Sequence, residues 1–175
     1  MEYVKLGDII IKFDKSKIKA GEGKTKGKYP LYTCSPTVNK YLDSYLFDDE
    51  AIIIGTGGNA VINYNIGKFS VSTDCFTIKS NEKMYTKYLY YYLLANIKKI
   101  SALYRGAGLR HLNKKEFLEL DIKLISKETQ KKLIYKLDKL VRIINLKRKQ
   151  LKIINDLVKS QFVENISFNK LEVAV

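Results

Sequence analysis

The stretch TQKKLIYKLDKLVRIINLKRKQLKIINDLVKSQF fills residues 129–162 and contains neither proline nor glycine. Its apolar residues recur at alternating steps of four and three, interrupted only at Lys147. We call these residues the first seam: Leu133, Leu137, Leu140, Ile144, Leu151, Ile154 and Val158. Because this heptad spacing is typical of helices that pair with other helices, we predict one long coiled-coil-forming α-helix. A helix over these 34 residues extends about 51 Å, which exceeds the width of one small domain.

The residues before this helix predict short strands and turns. Two apolar runs, Ala51 to Ile54 and Val61 to Tyr64, flank a glycine-rich turn and predict a hairpin. From Thr86, apolar residues at three- and four-residue steps predict a helix that ends near Tyr104.

We therefore predict an α+β fold class. A mixed, strand-rich domain with a few helices occupies residues 1–126, and the long helix occupies residues 127–165. A tail follows at residues 166–175, for which the sequence gives no pattern.

The charge balance favours a polyanionic partner. The 175 residues hold 32 Lys plus Arg against 18 Asp plus Glu, a net charge of +14. Residues 129–162 carry ten basic and two acidic residues, so +8 lies on the helix and +6 on the rest. Such an excess attracts nucleic acid or an anionic membrane surface. The longest apolar run is about eight residues, far below the roughly 20 of a membrane span, so we expect no membrane insertion.

The sequence lacks the patterns of the common catalytic sites. No GxSxG, GxxxxGK[ST] or HExxH motif is present, and a single histidine excludes the last of these. The acid-x-Lys triplets at Glu22 and Asp121 suggest a metal-dependent nuclease, but they occur no more often than chance allows. His111, Cys34 and Cys75 carry atoms that bind metals, but a lone histidine in a basic loop favours a nucleic-acid contact over a metal site. We predict no catalytic residue, no metal site and no cofactor.

The two cysteines, Cys34 and Cys75, form no CxxC motif and no disulfide framework. Their number and spacing are typical of a protein of the reducing cytoplasm.

Several segments in order resemble one family, the type I restriction-modification specificity subunits. The segments similar to its target-recognition domain are Lys5-Leu6-Gly7-Asp8-Ile9, Gly27-Lys28-Tyr29-Pro30-Leu31-Tyr32, Ile52-Ile53-Ile54-Gly55 and Gly106 to Ile122. The segments similar to its spacer helix are Glu128-Thr129-Gln130-Lys131-Lys132-Leu133-Ile134, Lys149-Gln150-Leu151 and Ser160-Gln161-Phe162.

The resemblance implies a DNA-binding protein that performs no chemistry itself. Such a subunit reads one half of a bipartite duplex site, and its helix docks methyltransferase subunits and, through them, a restriction subunit. S-adenosylmethionine and Mg²⁺ are then bound by the partner subunits.

One departure from the family pattern is informative. The family usually has two recognition domains and two spacer helices, whereas this chain has one of each and resembles a half-subunit. We expect a homodimer formed through antiparallel pairing of the C-terminal helices.

Side-chain type and loop position suggest the DNA contacts. The predicted base contacts are Thr56, Asn59, Arg105, Arg110 and His111, because Asn pairs bidentately with adenine and Arg with guanine. The predicted phosphate contacts are Lys24, Lys26, Lys28, Lys114 and Lys115.

An alternative from another class stays open. The chain is then an adaptor for single-stranded nucleic acid or RNA that oligomerises through its helix. Tyr29, Tyr32 and Tyr64 would be its base-stacking platforms.

Overall fold

The computed structural model describes the backbone of residues 2–172 and the side chains of residues 2–162. The chain divides into two compact units, Met1–Ile134 and Tyr135–Val175. Of the predicted tail at 166–175, residues 173–175 lie outside the described residues. The side chains from residue 163 onward lie outside them as well.

The first unit is rich in short strands, and helices are interspersed. The strands are β1 Glu2–Lys5, β2 Ile10–Lys12, β3 Tyr29–Tyr32, β4 Tyr41–Leu42, β5 Phe47–Asp48, β6 Ala51–Gly55, β7 Ile62–Asn65, β8 Lys68–Val71, β9 Cys75–Ser80, β10 Tyr104–Arg105, β11 His111–Leu112 and β12 Asp121–Leu124. The α-helices are α1 Thr86–Ala95, α2 Ile97–Ser101, α3 Lys114–Leu118 and α4 Lys127–Glu172, and short 3-10 helices cover Leu6–Ile9 and Ala20–Glu22. This mixture with one long C-terminal helix confirms the predicted α+β fold class.

A four-stranded antiparallel sheet in the order β2-β9-β6-β7 holds the predicted hairpin. Strands β6 and β7 pair from Ala51 with Asn65 to Ile54 with Ile62. Every residue of β6 is buried, as expected for a central strand made of Ala, Ile and Gly. The hairpin prediction is therefore confirmed.

A second four-stranded sheet has the order β4-β3-β8-β5 and contains one parallel pair, β3 with β8. Pro30 lies in the half of β3 that pairs only with β4, so its missing N–H leaves no ladder bond to β8 unmade. Parallel pairing needs a long connection, and 35 residues separate Tyr32 from Lys68.

Strand β6 supplies both hydrophobic cores of this unit. Ile52 and Ile54 lie in the larger core with residues of α1, α2 and α3. Ala51 and Ile53 lie in the smaller core with Phe69 and neighbouring residues. Successive side chains of a strand point to opposite faces, so one all-apolar strand serves both cores.

The predicted helix from Thr86 to about Tyr104 is divided in two. Its apolar face is buried as expected, with Leu89 and Leu93 in α1 and Ile100 in α2. At Asn96 the backbone leaves the helical region, with φ −102° and ψ 17°, and its side-chain amide donates to the carbonyl of Tyr92 at 2.9 Å. Asn competes for backbone hydrogen bonds in this way, which explains the interruption.

Strands β1 and β12 pair antiparallel from Glu2 with Leu124 to Lys5 with Asp121. This pairing connects the start of the chain to the strand that precedes α4. The helix itself runs to Glu172, so the helical backbone continues past residue 165.

Candidate nucleic-acid interface

An open cleft forms where the turn after β6 meets the loop between β10 and β11. Gly57 and His111 form an isolated antiparallel bridge. The Gly58 N–H donates to the carbonyl of Arg110 at 2.8 Å, and the Leu112 N–H donates to the carbonyl of Thr56 at 2.9 Å. Gly58 has φ +78°, a conformation that favours glycine. Backbone hydrogen bonds therefore hold the two segments against each other.

The cleft has a volume of about 580 Å³, and its lining is mixed in chemistry. Asn59, Asp74 and His111 contribute polar groups, while Pro36 and Leu109 contribute apolar surface. This combination suits a polar ligand that also carries apolar edges, as the bases of duplex DNA do.

The structure brings three of the five predicted base contacts to this cleft or its border. Asn59 and His111 line it and are exposed, and Thr56 precedes the cleft-lining Gly57. The Thr56 hydroxyl donates to the carbonyl of Asp74 at 2.8 Å, so its hydrogen is already used within the protein. Asn59 and His111 thus keep their side chains exposed for a ligand.

The two predicted arginines make contacts within the domain. Arg105 forms an exposed ion pair with Glu116 at 3.0 Å. The guanidinium of Arg110 donates to the carbonyls of Ser101 at 2.8 Å and Tyr104 at 3.1 Å. Arg110 therefore anchors the loop that carries Leu109. These contacts join residues of different segments and were not predicted from the sequence.

The five predicted phosphate contacts are all exposed. Lys24 forms an ion pair with Asp43 at 2.9 Å, which lowers the pKa of that carboxyl through a hydrogen bond and charge attraction. The ammonium of Lys114 lies 5.2 Å from the centre of the Phe76 ring. Lys26, Lys28 and Lys115 remain as exposed cations, and their role in phosphate binding stays a prediction.

The three tyrosines proposed to stack on single-stranded nucleic acid, Tyr29, Tyr32 and Tyr64, make contacts within the protein. Tyr32 is only 8% exposed, and its hydroxyl donates to Asn65 at 3.0 Å, so its proposed stacking role is wrong. The ring of Tyr64 stacks on Tyr90 with centroids 5.2 Å apart. Tyr29 packs edge-on against Tyr45.

Two thiols meet beside the cleft, although Cys34 and Cys75 lie 41 residues apart in the sequence. Cys34 lines the cleft and donates to the carbonyl of Asp74 at 3.2 Å, while Cys75 is buried behind it. A hydrogen bond from the Cys75 thiol is the main cause that lowers the pKa of Cys34 to about 6. The same contact and burial raise the pKa of Cys75 above its ordinary range.

Among the described residues, no group of three or more His, Cys, Asp or Glu side chains is placed to hold a metal ion. Within those residues there is also no helix long and apolar enough to cross a membrane.

The long helix exposes apolar side chains along the predicted first seam. From Leu140 onward these side chains are 48–63% exposed, and Leu133 is 37% exposed. A further apolar stripe, which we call the second seam, is formed by Ile143, Leu146, Ile153 and Leu157. At 3.6 residues per turn it lies about 110° around the helix from the first seam. The apolar face of this segment is therefore wider than one helix pair needs.

The sequence matches a known family over most of its length. The model of the type I restriction modification DNA specificity domain matches residues 1–156. The chain is 29% identical over 156 residues to the specificity subunit of the type I restriction enzyme EcoDI of Escherichia coli, covering 89% of this chain and 34% of that protein. It is 30% identical over 130 residues to a putative type I specificity subunit of Mycoplasma pneumoniae, covering 67% of this chain and 35% of that one.

The fold also matches solved structures. The S subunit of a type I restriction-modification system from M. genitalium superposes with a TM-score of 0.69 at 17% identity, over 85% of this chain and 42% of that one. The HsdS subunit from Thermoanaerobacter tengcongensis gives a TM-score of 0.61 at 16% identity, over 85% and 39%. These likenesses show a shared fold.

The chain spans about a third of the length of the two curated relatives. Its sequence match and its fold agree with the resemblance expected from the ordered segments. The chain therefore belongs to the family of type I restriction-modification DNA specificity domains.

Proposed function

We propose that this chain binds duplex DNA sequence-specifically as a non-catalytic specificity subunit and reads one half of a bipartite site. The observation that carries the proposal is the anchored cleft, where Asn59 and His111 are exposed on segments held by backbone hydrogen bonds. A rigid site presents base-reading groups without a large ordering cost on binding. The positive charge of the chain adds sequence-independent attraction to phosphates.

The two seams of α4 support two helix contacts at once. A two-stranded coiled coil buries one seam of each helix, which leaves the other exposed. We propose that the first seam pairs with a second copy of the chain in antiparallel fashion, and that the second seam docks a methyltransferase subunit. A restriction subunit then joins through the methyltransferase, and S-adenosylmethionine and Mg²⁺ belong to those partners.

A homodimer of this kind has a recognisable target. Because a twofold axis relates the two recognition domains, the target is an interrupted site whose halves are inverted copies of each other. The proposed domain boundaries are 1–126 for the recognition domain and 127–165 for the helix.

The test is to co-express the chain with a type I methyltransferase subunit and to map methylated bases by single-molecule sequencing. An inverted, interrupted motif that disappears when the chain is omitted supports the proposal. A motif unrelated in its two halves contradicts the homodimer, and a motif that does not depend on the chain contradicts the specificity role.

A competition binding assay distinguishes the duplex-binding proposal from the single-stranded alternative. Duplex DNA that carries the mapped motif should displace a labelled duplex at concentrations where single strands of the same sequence do not. Equal displacement by the single strands supports the alternative.

A further inference from the structure

The backbone of one acidic residue in the cleft, Asp74, is held in place by hydrogen bonds. The carbonyl oxygen of Asp74 accepts two hydrogen bonds at 2.8 Å, from the Thr56 N–H and from the Thr56 hydroxyl, and a third at 3.2 Å from the Cys34 thiol while that thiol is protonated. These donors come from two different segments of the chain. The Cα position of Asp74 is therefore fixed relative to the cleft wall.

The side chain of Asp74 has no such partners. It is exposed and lines the cleft, and its carboxylate has no hydrogen-bond or ion-pair partner among the described residues. It carries the single carboxylate among the described residues that line the cleft. The chain has a net charge of +14, so basic residues outnumber acidic ones. Even so, none of the described basic side chains forms an ion pair with Asp74.

A free carboxylate on a face that meets DNA weakens binding by repelling phosphates. That loss is offset only where the carboxylate receives a hydrogen bond from the DNA. An ionised carboxylate accepts hydrogen bonds and donates none, so it needs a base donor. In the major groove the exocyclic amines of cytosine and adenine are the donors.

Cytosine fits better than adenine. Adenine presents its N7 acceptor beside the amine, and this acceptor repels a carboxylate, whereas Asn or Gln matches the pair. Guanine and thymine present acceptor oxygens to the groove and are repelled as well.

We infer that Asp74 is a specificity-determining residue, which accepts a hydrogen bond from the exocyclic amine of a cytosine in the duplex target. Thr56 is then a positioning residue, whose N–H and hydroxyl hold Asp74 in place. This inference rests on the proposed function, because it needs the cleft to meet duplex DNA.

The experiment selects binding sites from a randomised duplex library with the purified full chain and then with variants. Asp74→Ala should lose a cytosine preference at one position per half-site, by about ten-fold relative to the other bases. Asp74→Asn should shift that position towards adenine, because Asn offers both a donor and an acceptor. The control Asp14→Ala removes the same charge from an exposed loop outside the cleft lining and should leave all preferences unchanged.

Thr56→Val keeps the side-chain shape but removes the hydroxyl donor. It should weaken the same cytosine preference without altering other positions, and Thr56→Ser should restore it. If circular dichroism shows that Thr56→Val does not fold, the binding preferences of the Asp74 variants decide the question.

Two outcomes overturn the inference while leaving the proposed function intact. In one, Asp74→Ala keeps every preference and binds all sequences more tightly, as expected for simple relief of phosphate repulsion. In the other, Asp14→Ala loses the same cytosine preference. If the unaltered chain selects no sequence from the library, the proposed function and this inference both fail.

Discussion

The side-chain oxygen of Gln130 accepts a hydrogen bond of 2.9 Å from the backbone N–H of Tyr85. Tyr85 is the N-cap of α1, and no side chain caps that helix locally. The amide nitrogen of Gln130 donates to the carbonyl of Ile125 at 2.8 Å, and Gln130 is fully buried. One glutamine in the first turns of α4 thus satisfies a helix terminus and a loop carbonyl together.

Gln130→Ala should destabilise the recognition domain by about 1–3 kcal/mol, because it leaves two half-buried backbone groups, the Tyr85 N–H and the Ile125 carbonyl, without this partner. Urea unfolding followed by circular dichroism measures the change. Lys132→Ala is the matched control two residues away, where an exposed ion pair with Glu128 contributes about 0.5 kcal/mol or less. Equal stability of the two variants would contradict the proposed role of Gln130.

Gly55→Ala tests the tight packing at the end of β6. A Cβ atom added at Gly55 would lie 3.1 Å from the Cα of Cys34 and 3.3 Å from its sulfur. Backbone must move to relieve such contacts, so we expect a loss of about 1–3 kcal/mol in the free energy of unfolding. At Gly21 an added Cβ meets no atom within 4 Å, so Gly21→Ala should change stability by well under that amount. An unchanged melting temperature for Gly55→Ala would show that the strand shifts freely.

The two thiols should differ sharply in reactivity. The pKa of Cys34 is lowered to about 6, chiefly by the hydrogen bond from Cys75, so Cys34 is largely thiolate at pH 7. Iodoacetamide should label Cys34 in the folded protein, at a rate that falls as the pH drops below about 6. Cys75, buried and with a raised pKa, should stay unlabelled.

Cys75→Ala supplies the control for this mechanism. Removing the thiol donor raises the pKa of Cys34, so its labelling at pH 6 should slow relative to labelling at pH 8. Peptide mass mapping after short exposures measures both rates. A pH profile identical in the variant and the parent would exclude Cys75 as the cause.

Elements that depend only on neighbouring residues were predictable from the sequence. The apolar run from Ala51 to Ile54 forms a strand, and the apolar face from Thr86 is buried on two helices. The heptads of α4 lie on a helix, as predicted, while their pairing stays a prediction. The spacing of Asn113 and Glu116 is typical of a capping box, and Asn113 does cap α3, accepting from the Glu116 N–H at 3.2 Å. The Glu116 carboxylate, however, accepts from the side-chain amide of Asn113, because the Asn113 N–H donates to Leu103.

Features that depend on contacts between distant segments were not predictable in this way. The parallel pairing of β3 with β8 and the meeting of Cys34 with Asp74 join residues about 40 positions apart. The run from Val4 to Ile11 is typical of a strand start, whereas in the structure a 3-10 helix at Leu6–Ile9 separates the two short strands β1 and β2. Leu6 and Ile9 are fully buried there, so core packing overrides the β propensity of the run.

Lys26→Ala should reduce the dependence of DNA affinity on salt. If Lys26 neutralises one phosphate, the slope of log K against log salt concentration falls by about one unit in magnitude when it is removed. Fluorescence anisotropy of a labelled duplex between low and moderate salt measures the slope. Lys26→Arg keeps the charge and should leave the slope as it was. An unchanged slope in Lys26→Ala would remove this lysine from the phosphate contacts.

Mutations in α4 should distinguish the role of the first seam from the role of the second seam. Leu151→Asp places a charge on the first seam and should convert the dimer to a monomer, because an unpaired charge is costly inside a helix interface. Ile153→Asp places the same charge on the second seam and should preserve the dimer while weakening binding of the methyltransferase subunit. Analytical ultracentrifugation and co-purification measure the two effects.

Both positions are more than half exposed in the single chain, so neither change should unfold the helix itself. Asn145→Asp adds the same charge to the polar face and should affect neither association. If Leu151→Asp and Ile153→Asp weaken both associations equally, the apolar face acts as one surface, and the assignment of separate partners to the two seams is wrong. A parent chain that sediments as a monomer at tens of micromolar, with and without DNA, excludes the homodimer.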